Sequence, residues 1–119
     1  MRSVDYMARI LKKYPTFIWL SDKRLEQEEI DLCYQIGIEF FHATSQRAVN
    51  KFLSSELLED IFLLTDIHSL PGVVENFRTR PEIKKIFVYI RNYKEEVQAL
   101  KAEEIKMIVM DLRDLFYAI

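Results

Sequence analysis

The sequence predicts an α/β fold in which a parallel sheet carries helices on both faces, and three observations predict it. Apolar runs of strand length alternate with helical stripes five times along the chain. Most of the runs are unbroken rather than apolar on alternate residues, as in strands buried on both sides. The spacers between them hold amphipathic helices, so successive strands are joined by crossovers and run parallel. Five such units in 119 residues are too few for an eight-stranded barrel and match a flavodoxin-like three-layer sandwich, (βα)5, with strand order 2-1-3-4-5.

Each element follows from its residues. Thr16-Phe17-Ile18-Trp19-Leu20 is an apolar run between Pro15 and Ser21-Asp22 and reads as the first strand. Leu25, Ile30, Leu32, Cys33 and Ile36 then recur at helical spacing, with Asp22 expected as N-cap and Gly37 as the residue that stops the helix. Residues 38–43 partly alternate, which suits an edge strand, and Thr44 or Ser45 can cap the helix carrying Ala48, Val49, Phe52 and Leu53, which runs out near 56–59. Ile61-Phe62-Leu63-Leu64-Thr65 is the third strand; Pro71-Gly72 marks a turn or a first helical turn ahead of Val73, Val74 and Phe77. Residues 86–90 read as the fourth strand, Tyr93, Val97 and Leu100 as a helical stripe, and 107–110 as the fifth strand. Leu112, Leu115, Phe116 and Ile119 sit at the spacing of a closing helix capped by Asp111. Ahead of the repeat, Val4, Met7, Ile10 and Leu11 predict a short helix. The expected organisation is therefore a helical extension over 1–14 and one α/β domain over 15–119.

Composition narrows the function. Half of the residues are hydrophobic, enough for a single core without metal or disulfide support. The only glycines, Gly37 and Gly72, lie far apart, so no Gly-rich phosphate loop exists. Seventeen basic against 19 acidic residues give no field for a polyanion, which argues against nucleic acid. One cysteine, Cys33, rules out an intrachain disulfide, and the short early apolar run is no membrane span, so a cytoplasmic setting is expected.

In open parallel sheets ligands bind beyond the carboxyl ends of the strands, at the switch between strands 1 and 3. That rule selects Ser21, Asp22, Lys23 and Arg24 after the first strand, and Thr65, Asp66 and His68 after the third. It adds Arg91 and Asn92 after the fourth, and Asp111 and Arg113 after the fifth.

The segment Asp60-Ile-Phe-Leu-Leu-Thr-Asp66-Ile-His-Ser-Leu-Pro71-Gly72 resembles the third-strand region of response-regulator receiver domains, where an apolar run ends in the phosphoacceptor aspartate and a Pro-Gly turn follows. The resemblance covers 16–119 in unit order. It implies Asp66 as the phosphoacceptor and Asp22, with Asp66, as carboxylates for Mg²⁺. It also implies a hydroxyl residue ending the fourth strand and a lysine ending the fifth; here Arg91 or Asn92, and Met110-Asp111, stand in those places. Without groups to receive the phosphoryl oxygens, a degenerate, non-catalytic receiver-like module acting through protein contacts is the expectation, the active phosphoacceptor being the alternative. Ile18-Trp19-Leu20 and 86–90 more loosely resemble receiver-like or TIR-like domains found beside tetratricopeptide and ADP-ribosyltransferase domains. A TIR-like NAD hydrolase is the further alternative that this resemblance implies; such enzymes share the broad fold and need a cleft glutamate, which no local motif here singles out. In receivers the fourth and fifth units commonly form the partner face, so Tyr89, Tyr93 and Tyr117 are the candidate contacts, with a protein partner or a homodimer as the expected association.

The plain structural readings are equally specific. Asp66 at a strand end is expected as a turn cap, or as an ion-pair partner of Arg91. His42 and His68 lack partners at metal-ligand spacing. Cys33 reads as a buried, inert thiol, and Trp19 as core with an N–H that needs an acceptor. The acids Glu26, Glu28, Glu29 and Asp31 read as a solvated helix start that complements the helix dipole.

Overall fold

A computed structural model describes residues 16–55 and 60–118. The expected leading helix over 1–14, the run-out at 56–59 and the side chain of Ile119 lie outside the described residues. The elements are β1 (Thr16–Leu20), α1 (Gln27–Gln35), β2 (Phe40–Ala43), α2 (Gln46–Ser55), β3 (Ile61–Thr65), α3 (Leu70–Phe77), β4 (Ile83–Tyr89), α4 (Tyr93–Glu96) and β5 (Ile108–Val109). Short 3₁₀ segments occupy Val97–Ala99, Ala102–Met107 and Leu112–Ala118. All strand pairs are parallel, in the order β2-β1-β3-β4-β5, so the arrangement is flavodoxin-like as the alternation predicts.

The strand side chains divide between two layers because successive residues point to opposite faces. Phe17, Trp19, Phe62 and Leu64 pack on one face with Leu25 and Cys33 near and in α1, and with Leu112 and Leu115 of the last segment. Ile18, Leu20, Ile61 and Leu63 pack on the other, under Val49 and Leu53 of α2 and Val73 and Phe77 of α3. Leu70, Val88 and Ile90 extend that second layer beneath the connection to β5. The central strands β1 and β3 are therefore buried on both sides, which is why their sequences do not alternate.

Several boundaries differ from expectation. α1 begins at Gln27 with Glu26, not Asp22, at the N-cap. The intervening loop is tied down: the Trp19 indole N–H donates to the Lys23 carbonyl at 2.8 Å, and the Lys23 N–H donates to Ser21 Oγ at 3.1 Å. Gly37 follows α1 with φ +80, the left-handed conformation that a helix stop needs. Ser45 caps α2 by accepting the Ala48 N–H at 3.2 Å. Gly72 lies in the first turn of α3 against the Gln46 side chain, where a Cβ would come within 2.5 Å of Nε2.

β4 starts three residues earlier than the apolar run suggests, with a register shift opposite Ile61 and Phe62. Ile61 pairs with Ile83 but Phe62 pairs with Lys85, so Lys84 is an extra residue. Because of it, Ile83 and Ile86 reach the same face although three positions apart. The expected fourth helix is broken into one α-turn and two 3₁₀ segments: Leu100 is extended (ψ 145), and the Lys101 N–H restarts the chain by donating to Glu104 Oε1 at 2.7 Å. The closing segment is 3₁₀ rather than α, with three residues per turn. That period keeps Leu112 and Leu115 buried and turns Phe116, expected on the same stripe, to solvent at 55% exposure.

Candidate functional site

At the carboxyl end of the sheet a cleft of about 360 Å³ opens between the β1 and β3 termini, lined on one side by Trp19, Ser21, Asp22 and Lys23 and on the other by Asp66 and His68. Tyr89, Arg91, Glu95 and Glu96 close it from the β4 side. This is the switch point the topology selects. Of the sequence-selected residues, Ser21, Asp22, Lys23, Asp66, His68 and Arg91 meet here. Thr65 is fully buried beneath them, its hydroxyl donating to the Leu20 carbonyl at 2.7 Å, and thus ties β3 to β1. Arg24 faces a different groove. Asn92 sits at the N-cap of α4, its N–H donating to Glu96 Oε1 at 3.2 Å. Asp111 is occupied by Arg113, whose Nη2 donates to Oδ2 at 2.6 Å; this pairing holds the Asp111 carboxyl below its ordinary range.

Asp66 is the centre of the cleft and is engaged at both oxygens. Oδ1 accepts the Ser69 N–H at 2.8 Å, capping the turn that leads into α3. Oδ2 accepts the hydroxyl of Ser21, a residue only 1% exposed. Ser21 is held in turn: its Oγ accepts the Lys23 N–H, and its carbonyl accepts the His42 Nε2–H at 2.9 Å. This hydrogen bond fixes His42 at the edge of the sheet with its proton on Nε2.

The expected Asp66–Arg91 ion pair does not form. Arg91 instead forks onto Glu29 in the first turn of α1, with Nε to Oε2 at 2.9 Å and Nη2 to Oε1 at 2.7 Å. The Tyr89 hydroxyl donates to the same carboxylate, and the Glu26 N–H donates to it at 2.8 Å. The Arg91 guanidinium also lies 5.1 Å from the centre of the Tyr89 ring, which packs edge-on against Trp19. Burial opposes ionisation of Glu29, but the donors from Arg91, Tyr89 and Glu26 prevail and hold its carboxyl below the usual range. The bond to Glu29 raises the Arg91 pKa, while burial, then Glu29, raise that of Tyr89.

Glu29 is the residue sequence reasoning missed. Read as part of a solvated acidic helix start, it has a side chain only 12% exposed and joins α1 to the end of β4. A local signal does exist, since Glu29 stands three residues after the N-cap, where a carboxylate turns back toward the chain. Its partners are 60 and 62 residues away, so nothing local identifies them. The same bond withdraws Tyr89 from the proposed tyrosine surface, while Tyr93 and Tyr117 remain exposed. Cys33 is buried and free, its pKa pushed up to about 11 by burial and by the charge of Glu29, which keeps the thiol protonated.

Among the described residues no three His, Cys, Asp or Glu side chains are gathered as metal ligands, and no helix is long and apolar enough to cross a membrane. Asp22 and Asp66, the two carboxylates selected for Mg²⁺, share the cleft. No family model, curated protein or solved structure matches the chain.

Proposed function

We propose that this chain is a non-catalytic, receiver-like signalling or protein-interaction module, acting in the cytoplasm through its surfaces rather than through phosphotransfer. The observation that carries this reading is the state of Asp66: each carboxylate oxygen already has a donor from the protein, one serving as a turn cap and the other binding β1 to β3. A carboxylate oxygen that accepts a hydrogen bond has less electron density to offer, so the Ser21 and Ser69 bonds each make Asp66 a poorer nucleophile toward a phosphoryl group. The neighbouring strand ends support the same reading, since Arg91 is committed to Glu29 and Asp111 to Arg113. The guanidinium at each of these strand ends is thus engaged by a carboxylate of the chain itself, which competes with any transferred oxygen for its donors. Exposed Tyr93 and Tyr117 supply aromatic surface for a protein partner or a second copy.

The phosphoacceptor reading rests on Asp22 and Asp66 facing one cleft, and one experiment separates the two. Beryllofluoride with Mg²⁺, titrated into the isotope-labelled chain, is expected to leave the amides of Ser21, Asp22 and 66–69 unshifted. Saturable shifts centred on Asp66 would overturn the non-catalytic reading and favour an Mg²⁺-dependent phosphoacceptor.

A further inference from the structure

A second concavity, about 590 Å³, runs between α1 and the edge strand β2 on the face that carries Trp19. Sites for small organic ligands measure about 300–1,000 Å³ and are mostly apolar, with a few placed polar groups. This groove fits both descriptions. Trp19, Leu25, Cys33 and Ile38 are its buried lining, and Ile30 and Tyr34 of α1 leave apolar surface exposed beside them. The indole N–H is already committed to the Lys23 carbonyl, so the buried side chains present carbon and one thiol.

We propose that this groove binds a small carboxylic amphiphile, a single-chain fatty acid, with its carboxylate on Arg24 and its chain between α1 and β2. Among the described lining residues Arg24 is the one guanidinium or ammonium group. It lies exposed in the loop after β1 and enters none of the ion pairs among the described residues. A guanidinium beside apolar surface takes a carboxylate through two parallel, charge-assisted hydrogen bonds. A single cation also matches a monoanion better than a phosphomonoester, whose charge of about −1.5 to −2 it would leave partly uncompensated.

The two ends of the groove differ in charge. Arg24 follows the carboxyl end of β1, near the place where the His42 ring is held to the Ser21 carbonyl through Nε2 at 2.9 Å. β2 runs parallel to β1, so Glu39, which precedes β2, stands at the opposite end and has an interaction of its own. An anionic head at the Arg24 end therefore meets a cation and keeps away from the carboxylate of the lining. Its chain then lies along Phe40 and Ile38, across from Ile30 and Cys33. A neutral apolar ligand would use the same walls and leave the guanidinium without a partner. Trp19 is the one residue named in the lining of both this groove and the Asp66 cleft, so the two can be tested apart.

The test titrates decanoate into the isotope-labelled full chain and follows its amide shifts. Saturable shifts are expected at 24–25, 30–34 and 38–42, with 66–69 unmoved. Each buried methylene should tighten binding about fourfold, so octanoate is expected to bind about fifteenfold more weakly. Arg24→Ala, at an exposed position where truncation spares the fold, should weaken decanoate about tenfold and leave the affinity for decanol unchanged. Absence of saturation, shifts centred on the Asp66 cleft, or equal affinity of decanoate for the parent and for Arg24→Ala would overturn the proposal. Groove shifts that follow protein concentration before decanoate is added would overturn it in favour of a second copy.

Discussion

Glu29 gathers four hydrogen bonds from three residues: two from Arg91, one from the Tyr89 hydroxyl and one from the Glu26 N–H. Removing Arg91 leaves a carboxylate that is mostly covered and short of donors, which is costlier than losing an exposed surface pair. Arg91→Ala is expected to lower stability at neutral pH by about 1–2 kcal/mol, read from denaturant midpoints. The pH dependence has a definite sign. The folded-state pKa of Glu29 lies below its ordinary value of 4.5, so the pairing contributes fully above that value and is lost as pH falls through the folded pKa. The difference between Arg91→Ala and the parent should therefore shrink between pH 5 and pH 3, an approximate window set by the carboxylate range. A difference unchanged across that range would show that the guanidinium acts through packing alone.

At the scale of the element, the closing segment shows how a small change of period redistributes a hydrophobic pattern. An α-helix would place Leu112, Leu115 and Phe116 on one stripe, but 3₁₀ geometry repeats every three residues and keeps only the leucines inward. Leu115→Ala is expected to cost about 2–5 kcal/mol, while Phe116→Ala should change stability by no more than about 0.5 kcal/mol. Comparable losses from the two, measured by chemical denaturation, would indicate an α-helix at this end. The extra residue Lys84 in β4 is the strand counterpart: with it, Ile83 and Ile86 share a face that strict alternation would deny them.

The whole molecule is a sheet whose middle is more deeply buried than its margins. β1 and β3 are paired on both sides and covered on both faces, whereas β2 has a single partner and β5 is two residues long. Native-state hydrogen exchange is expected to find the slowest amides in β1 and β3 and faster ones in β2 and β5. Uniform protection across all five strands would contradict this gradient.

Periodicity determined the α/β class because burial on two faces removes alternation from a strand, while the helices between strands must show a single apolar stripe; the strand order followed from matching five such units to the flavodoxin-like arrangement. Topology then located the cleft, bringing Ser21, Asp22, Asp66 and Arg91 together at its mouth. Ser45, Gly37 and Asp66 were legible as caps and stops because their partners lie within a few residues in the chain. Tertiary structure alone decided which charges met. The sequence offered Arg91 only Asp66 as a partner, and its pairing with Glu29 instead turned on where the first turn of α1 falls relative to the end of β4. That placement depends on the loop over 21–26, pinned by the Trp19 indole, and on the packing of the layers, and neither leaves a periodic trace in the sequence.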